Sequence, residues 1–532
     1  MEQFLKPAAN LCRATCMPYV AIPLLVTGMF LFITTMVIRA VPIQVDESIQ
    51  YHVIACDFYK NAKYHTFWNP CDGSTNLNLL GIQLKRAYHY VGGFSSYFYY
   101  PFFRVSPSIL TQRLIGVFFL IALVATITLL EPEKKLVVVV LFGLSFPLVY
   151  QLIDDTGPVR YSLFIAAFTP WFVGRIVRIR RKSVKAFLNI VLGFLLFFAV
   201  EDKPFFLYLV PSVLLLTIAY NCNNKQGVIG AAKLIVTEML IALLVFGTLV
   251  YLYLIVARTN SGERYISELV SLVKPYSMTD ELLYILSFMT NFEKFSSDVY
   301  EIRQFKVVNI SFSLVIWLYG LIFVAKACKM GPSRKVVFTA IAFLVSIVVM
   351  LFTRNATTGH HYIFSYILGL LLVCQSMSYV QQNQNGFLIL YSCFAIILAA
   401  ELPFLAPNPT YSWERYKIFE YLRQENIARN YVIGHLSLGT YYVASLYGHE
   451  DQLSLQIRTL DSQTASKIIS LADKVRRKIL CVCRGPDCNA ESLSSKFLNK
   501  VKFTETKLAN QDWKVYLETG RTNALASNPA SA

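Results

Sequence analysis

From residue 19 onward the chain alternates long apolar stretches with short polar ones. The apolar runs fall near 19–39, 108–130, 136–152, 161–175, 186–200, 205–220, 234–257, 307–326, 336–353, 362–380 and 387–403. Crossing about 30 Å of hydrocarbon takes about 20 helical residues, and these runs are long enough or nearly so. Those at 161–175, 186–200 and 205–220 are short, which predicts tilted, broken or half-buried helices. The first run exceeds the core of a signal peptide and lacks a small-residue cleavage site, so it reads as a retained spanning helix.

Beyond residue 403 the period changes. "SWERYKIFEYLRQENIARN" and "TASKIISLADKVRRK" have helical spacing, whereas "YVIGHLSL", "KILCVCR", "KFTETKL" and "DWKVYLE" read as strands. Helix and strand in alternation predict a small α/β domain over 404–519, followed by a disordered tail at 520–532. The expected fold is a polytopic α-helical membrane domain of about eleven transmembrane helices over 1–403, with a C-terminal external α/β domain.

Composition agrees: 55% of residues are hydrophobic and only 15% charged. The short connections set the orientation. "GRIVRIRRKSVK" carries Arg175, Arg178, Arg180, Arg181, Lys182 and Lys185, while "DDTGPVR", "EDKP" and "RNATTGHH" lack that basic excess. By the positive-inside rule the N-terminus is cytoplasmic, and loops 40–107 and 258–306 and the C-terminal domain lie outside. The +17 net charge then faces anionic lipid headgroups, and no motif accompanies it that would indicate nucleic acid.

Cys56 and Cys71 share the first external loop, and Cys483 and Cys488 flank "RGPD", whose Gly-Pro turn suits a disulfide better than a zinc site. Chemistry-bearing residues gather on the same expected side. Asp46 and Glu47 follow the first apolar run in "VDESIQ"; as a plain reading, they favour the start of the next helix through its dipole. Asp154, Asp155 and Arg160 join the third and fourth runs, and Glu201, Asp202 and Lys203 join the fifth and sixth. Arg354, His360 and His361 join the ninth and tenth. Lys203 has a plain reading as a lysine snorkelling at a helix end, and Arg160 as the partner of Asp154 or Asp155. Short loops between packed helices can also converge on one cavity.

These residues resemble the GT-C class of polytopic glycosyltransferases that use polyprenyl-phosphate sugars, including protein O-mannosyltransferases and lipid A aminoarabinose transferases. The Asp-Glu opening the first external loop matches Asp46 and Glu47, "SSYFYYPFFR" stands where the family has an aromatic segment, and Arg113 in "TQRLIGVFFL" matches an Arg-Leu. Asp154 or Asp155 matches a second acidic site, and Lys203 in "EDKPFF" a lysine after the fifth helix. The sequence departs from the family's pattern at Ser95-Ser96, in place of Pro-Pro, and at Pro204, in place of Gly.

The resemblance implies a sugar moved from a polyprenyl-phosphate donor to a glycan, lipid or protein acceptor, with membrane lipids around it. A carboxylate takes the acceptor proton, for which Asp46 is the expected base with Glu47 orienting it. Fixed cations meet charge growing on the donor phosphate, for which Lys203, Arg160, Arg354 and His361 are the candidates. Some family members use a divalent metal, which leaves a metal open here. A bacterial inner membrane is the expected location, with the endoplasmic reticulum as alternative. Competing readings are a flippase for lipid-linked saccharides, which predicts broken helices and internal repeats, and a lipid-linked glycan ligase or polymerase.

Overall fold

A computed structural model describes residues 21–38, 77–79, 82–84, 95–105, 109–154, 159–203, 206–221, 228–261, 303–351, 363–379, 384–401, 418, 421–422, 424–436, 453–457, 460–484, 488–506 and 513–521. Asp46, Glu47, Cys56, Cys71, Asp155, Arg354 and His361 lie outside the described residues, and Asp154 is described in its backbone alone.

A helix underlies every expected apolar run. In chain order they are α1 (Ala21–Ile38), α2 (Ser95–Val105), α3 (Ile109–Leu130), α4 (Lys135–Val138), α5 (Phe146–Asp154), α6 (Arg160–Arg178), α7 (Lys182–Asp202) and α8 (Phe206–Asn221). There follow α9 (Val228–Glu238), α10 (Leu240–Ser261), α11 (Arg303–Lys329), α12 (Arg334–Leu351), α13 (Ile363–Ser376) and α14 (Gln384–Glu401). Helix α2 is an addition, placed on the aromatic segment before α3. A two-stranded ribbon, β1 (Leu77–Leu79) with β2 (Ile82–Leu84), precedes it.

By length and composition, three of the described helices (α1, α3 and α7) are each sufficient to cross a membrane. The total is five if each of two bent pairs is one span, fewer than the eleven expected; α8, α13 and α14 are apolar but shorter. Helix α3 shows why these elements suit hydrocarbon: Leu114, Phe118, Ile121 and Leu129 are exposed while Leu120, Leu123 and Ile127 are buried. A helix apolar on every face cannot be satisfied by water on its outer side.

The first bent pair joins residues 132–143 to 146–153 at 65°. A π-turn at Val139–Gly143 breaks the ladder, and hydroxyls compensate: Tyr391 donates to the Leu141 carbonyl at 2.7 Å, and Ser145 Oγ lies 3.2 Å from Tyr366 Oη. The second pair, 232–238 with 240–256, bends by 60°. Kinks need such a cause, and here a π-bulge supplies the first.

At the end of the bundle where α3 and α8 finish, a buried polar knot ties four elements. Glu131 accepts hydrogen bonds from Tyr220 Oη at 2.7 Å and Gln375 Nε2 at 3.0 Å, and pairs with Lys335 at 2.8 Å. Lys335 also lies over the Tyr220 ring at 4.3 Å, and Lys134 donates to the Cys374 and Gln375 carbonyls at 3.0 and 2.9 Å. Nearby, Lys185 pairs with Glu238 at 2.8 Å, so the one acid in the seventh apolar run is neutralised.

The C-terminal part holds a five-stranded sheet ordered β4-β3-β5-β7-β6. Its strands are β3 (Tyr431–His435), β4 (Leu453–Gln456), β5 (Lys478–Arg484), β6 (Val501–Thr506) and β7 (Trp513–Arg521). The pairs β3–β4 and β3–β5 are parallel, whereas β5–β7 and β6–β7 are antiparallel. Three helices accompany it: α15 (Glu425–Asn430), α16 (Ser462–Lys474) and α17 (Ala490–Lys496). Asp461 caps α16 by accepting from the Thr464 amide, and Asn489 caps α17 through Ser492. Cys483 and Cys488 are joined as a disulfide around "RGPD". Cys481 is buried beside them as a free thiol, and burial pushes its pKa up, which makes it unreactive.

Candidate functional site

The opposite end of the bundle from the Glu131 knot gathers the sequence-predicted cations. Arg160 opens α6, and its guanidinium turns back onto the end of α5. Nε donates to the Leu152 carbonyl at 2.5 Å and Nη2 to the Ile153 carbonyl at 2.6 Å. A helix C-terminus leaves its last carbonyls without intrahelical partners, and a forked cation there satisfies two at once. The same guanidinium lies 5.8 Å from the centre of the buried Tyr99 ring of α2, in cation–π range. Arg160 is therefore part of a packed wall, and the arrangement shown is carbonyl capping; the surface ion pair offered by the sequence would involve carboxylates whose side chains are not described.

Space for this wall comes from Gly116 in α3. A Cβ there would run into the Leu152 carbonyl oxygen, and would lie 2.8 Å from Ile153 Cα and 2.9 Å from Arg160 Nη2. Only a glycine lets α3 approach the end of α5 so closely.

Arg113, one turn earlier on α3, does for α1 what Arg160 does for α5. It is buried and donates from Nη1 to the Ile38 carbonyl at 2.7 Å. Ile38 ends α1, eight residues before Asp46. The arginine that the family resemblance singled out thus fixes the point from which the Asp46–Glu47 segment departs.

Glu201, Asp202 and Lys203 form the end of α7. They are 0%, 1% and 5% exposed, so the snorkelling reading of Lys203 is wrong: it is enclosed by protein. Isolated charges inside a protein cost several kcal/mol each, and their retention demands electrostatic partners or a ligand. Two bonds lock this end of α7 to the start of α6: Ser162 Oγ donates to the Ala199 carbonyl at 3.0 Å and Tyr161 Oη to that of Leu195 at 3.3 Å. Arg160 and the 201–203 triplet consequently sit on adjoining helix ends. Phe98 stacks on Tyr161 at 5.4 Å, which brings α2 over the same junction. Around Phe98, Tyr97, Tyr100 and Phe102 stay exposed, in keeping with an aromatic segment at a membrane interface.

The structure thus brings together Arg160, Lys203, the backbone of Asp154 and the root of the Asp46 segment. It gives Arg113 a contact, and it adds Tyr99 and Gly116, whose roles depend on contacts between helices. Among the described residues no group of three or more His, Cys, Asp or Glu side chains is placed to hold a metal ion. The arrangement can present fixed positive and negative charge, shielded from water, at one end of an apolar bundle.

No protein-family model and no curated protein matches the chain. Among solved structures, it resembles an archaeal oligosaccharyltransferase, AglB from Archaeoglobus fulgidus, in complex with an inhibitory peptide and a dolichol-phosphate. The two share 9% identity at a TM-score of 0.42, over 95% of this chain and 75% of the other. A likeness of that degree assigns neither the fold nor the activity.

Proposed function

We propose that the chain is a multi-pass membrane glycosyltransferase that moves a sugar from a polyprenyl-phosphate donor to an acceptor hydroxyl on the outer face of the membrane. The observation that carries this reading is the buried triplet Glu201–Asp202–Lys203 beside Arg160, at the end of the bundle where Arg113 anchors the root of the Asp46 segment. A sugar phosphodiester already holds a good leaving group, so the enzyme's task is to deprotonate the acceptor and to neutralise the departing phosphate.

In this scheme Asp46 accepts the acceptor proton and Glu47 orients it. Lys203 meets the phosphate as a point charge, with Arg354 and His361 as further donors to it. Asp154 and Asp155 supply the second acidic site. Arg160 contributes by holding the end of α5, from which those two acids follow, and its remaining surface faces Tyr99. The active end faces the periplasm of a bacterial inner membrane.

The test is transfer of label from radiolabelled polyprenyl-phosphate sugars by purified full-length protein. Asp46→Asn keeps the size of the side chain but not its basicity, and turnover is expected to fall by about 10²–10⁴. Wild-type turnover in that variant would overturn the assignment of the base.

A second reading draws on the two bent helix pairs, since flippases build substrate sites at broken helices. The first break presents hydroxyls and backbone rather than charge, with Ser145, Tyr366 and Tyr391 around it. Lipid-linked sugar crossing a vesicle without any transfer would favour this reading.

A further inference from the structure

A cleft of about 830 Å³ opens in the C-terminal domain, beside the first residues of β3 and β5 and the last turn of α16. That volume falls within the range of sites for small molecules, about 300–1,000 Å³. Its cations are not equivalent. Arg521 is consumed internally: it bonds Glu518 at 2.9 and 2.7 Å and pairs with Asp473, so both acids of the cleft share this one arginine. Arg477 donates to the Ala428 carbonyl at 3.1 Å. Arg476 and Lys478 line the same cleft, and among the described residues neither makes a side-chain hydrogen bond or ion pair.

Arg476 is held there at a conformational cost. Helix α16 ends in a Schellman turn, with the Arg476 amide bonded to the Asp473 carbonyl at 3.1 Å and the Arg477 amide to that of Ala472 at 2.9 Å. The turn forces Arg476 to φ 54°, a left-handed backbone. Glycine is the residue of choice at this position, because a Cβ crowds the following carbonyl oxygen there. An arginine in place of glycine hangs a cation on the rim of the cleft. Basic residues at a helix C-terminus also complement its dipole, but that benefit does not require the one position where a side chain is strained.

The rest of the lining is neutral, with Ile427, Ala472 and Leu517 apolar and four side chains polar. Tyr421 and Tyr431 offer aromatic faces and hydroxyls, and Asn426 and Asn430 offer amides. Such groups suit a ligand with a ring and several hydroxyls, and the two unconsumed cations suit an anionic substituent on it.

We infer that this cleft binds a saccharide bearing a phosphate or a carboxylate, with Arg476 and Lys478 on the anion and the tyrosines and asparagines on the sugar. The inference goes beyond sugar transfer and does not rest on it, because its test reads binding alone.

Full-length protein in nanodiscs of zwitterionic phosphatidylcholine is titrated calorimetrically with glucose 1-phosphate, glucuronic acid, glucose and inorganic phosphate. The two acidic sugars are expected to bind at least ten-fold more tightly than either glucose or inorganic phosphate, and more weakly as salt rises. Arg476→Asn, which tolerates the left-handed backbone, and Lys478→Gln should each weaken binding by roughly ten-fold or more, the effect of losing one charge-assisted hydrogen bond. An unchanged thermal unfolding profile of each variant keeps a loss of binding from being a loss of fold. Asp46→Asn should bind the acidic sugars as the wild type does, even with transfer slowed. Equal affinity for glucose and glucose 1-phosphate, or for inorganic phosphate and glucose 1-phosphate, would overturn the inference. So would binding sensitive to Lys203→Gln and not to Arg476→Asn. Attachment to phosphatidylglycerol vesicles that depends on Arg476 and Lys478, with no binding of the free acidic sugars, would reassign the cleft to lipid headgroups.

Discussion

Gly116→Ala tests the wall of the candidate site with one methyl group. The new Cβ would meet the Leu152 carbonyl oxygen and lie 2.8 Å from Ile153 Cα and 2.9 Å from Arg160 Nη2, all inside ordinary contact distance. If α3 and α5 move apart, the cost is that of overpacking, about 1–3 kcal/mol. If the guanidinium is displaced as the helices part, its bonds to the Leu152 and Ile153 carbonyls go as well, at about 1.5–3 kcal/mol each. The expected destabilisation is therefore about 1–3 kcal/mol from the overpacking alone, and more where the guanidinium is displaced. Unfolding of a membrane protein is commonly irreversible, so the quantity to measure is a half-life at fixed temperature. Cys374 is buried in α13 and becomes reactive only when the bundle opens, so a fluorogenic maleimide reports the opening once accessible thiols, Cys328 and Cys393 among them, have been blocked in the folded protein. Arg160→Met and the double variant complete a cycle. Because the methyl and the guanidinium compete for the same carbonyls, the double variant should lose less than the sum of the singles. A wild-type half-life for Gly116→Ala, or strict additivity, would refute the close approach of α3 to α5.

His435 is buried in β3, and burial lowers its pKa from 6.5 to about 3. Below about pH 6.5 the unfolded chain takes up a proton that the folded domain refuses, so stability is full above 6.5 and declines as pH falls toward 3. His435→Gln should flatten the dependence of intrinsic-fluorescence unfolding between pH 7.5 and 5; parallel curves for the two proteins would exclude the histidine as its source. At the other end of the bundle, Lys335→Met leaves Glu131 buried without its ion pair and should cost about 3 kcal/mol, the low end for a buried pair because Lys335 is partly exposed. Glu131→Gln combined with Lys335→Met should recover part of that loss in the same maleimide assay, and no recovery would mean that the pair is not the source of the stability.

The helices were legible because hydropathy is a local property: each apolar run from 19–39 to 387–403 coincides with one, including the run at 136–152 that the structure bends by 65°. The bend itself was not legible, since "VVLFGLSF" differs little in composition from its neighbours and the break is stabilised by Tyr366 and Tyr391, more than two hundred residues away. The same distinction explains the site. "EDK" reads as a solvated loop between two apolar runs, yet all three residues are buried, because α6 crosses the end of α7 and its hydroxyls bond there. Among the aromatics of "SSYFYYPFFR", nothing local marks Tyr99 as the one that turns inward to face Arg160. Glu131, in the short connection between the second and third apolar runs, is the acceptor that joins Tyr220, Gln375 and Lys335. Burial of a charge is decided by which helices pack, and no window of sequence contains that information.

Arg113 and Arg160 show how the packing and the chemistry are connected. Each leaves a later helix to reach the C-terminal carbonyls of an earlier one, Ile38 of α1 and Leu152 with Ile153 of α5. Asp46 and Glu47 follow the first of these ends in the sequence, and Asp154, the last residue of α5, with Asp155 after it, stands at the second; these are the acids on which the proposed chemistry depends. Negative charge already accumulates at a helix C-terminus from its unpaired carbonyls, and acids placed just beyond it are repelled. A buried cation on those carbonyls offsets the repulsion. Arginine suits the task better than lysine, since one planar fork reaches two successive carbonyls, whereas an ammonium is a point charge on a flexible stem. Charge alone is therefore not the requirement at position 160: the fork is, because it holds the Leu152 and Ile153 carbonyls together at the end of α5.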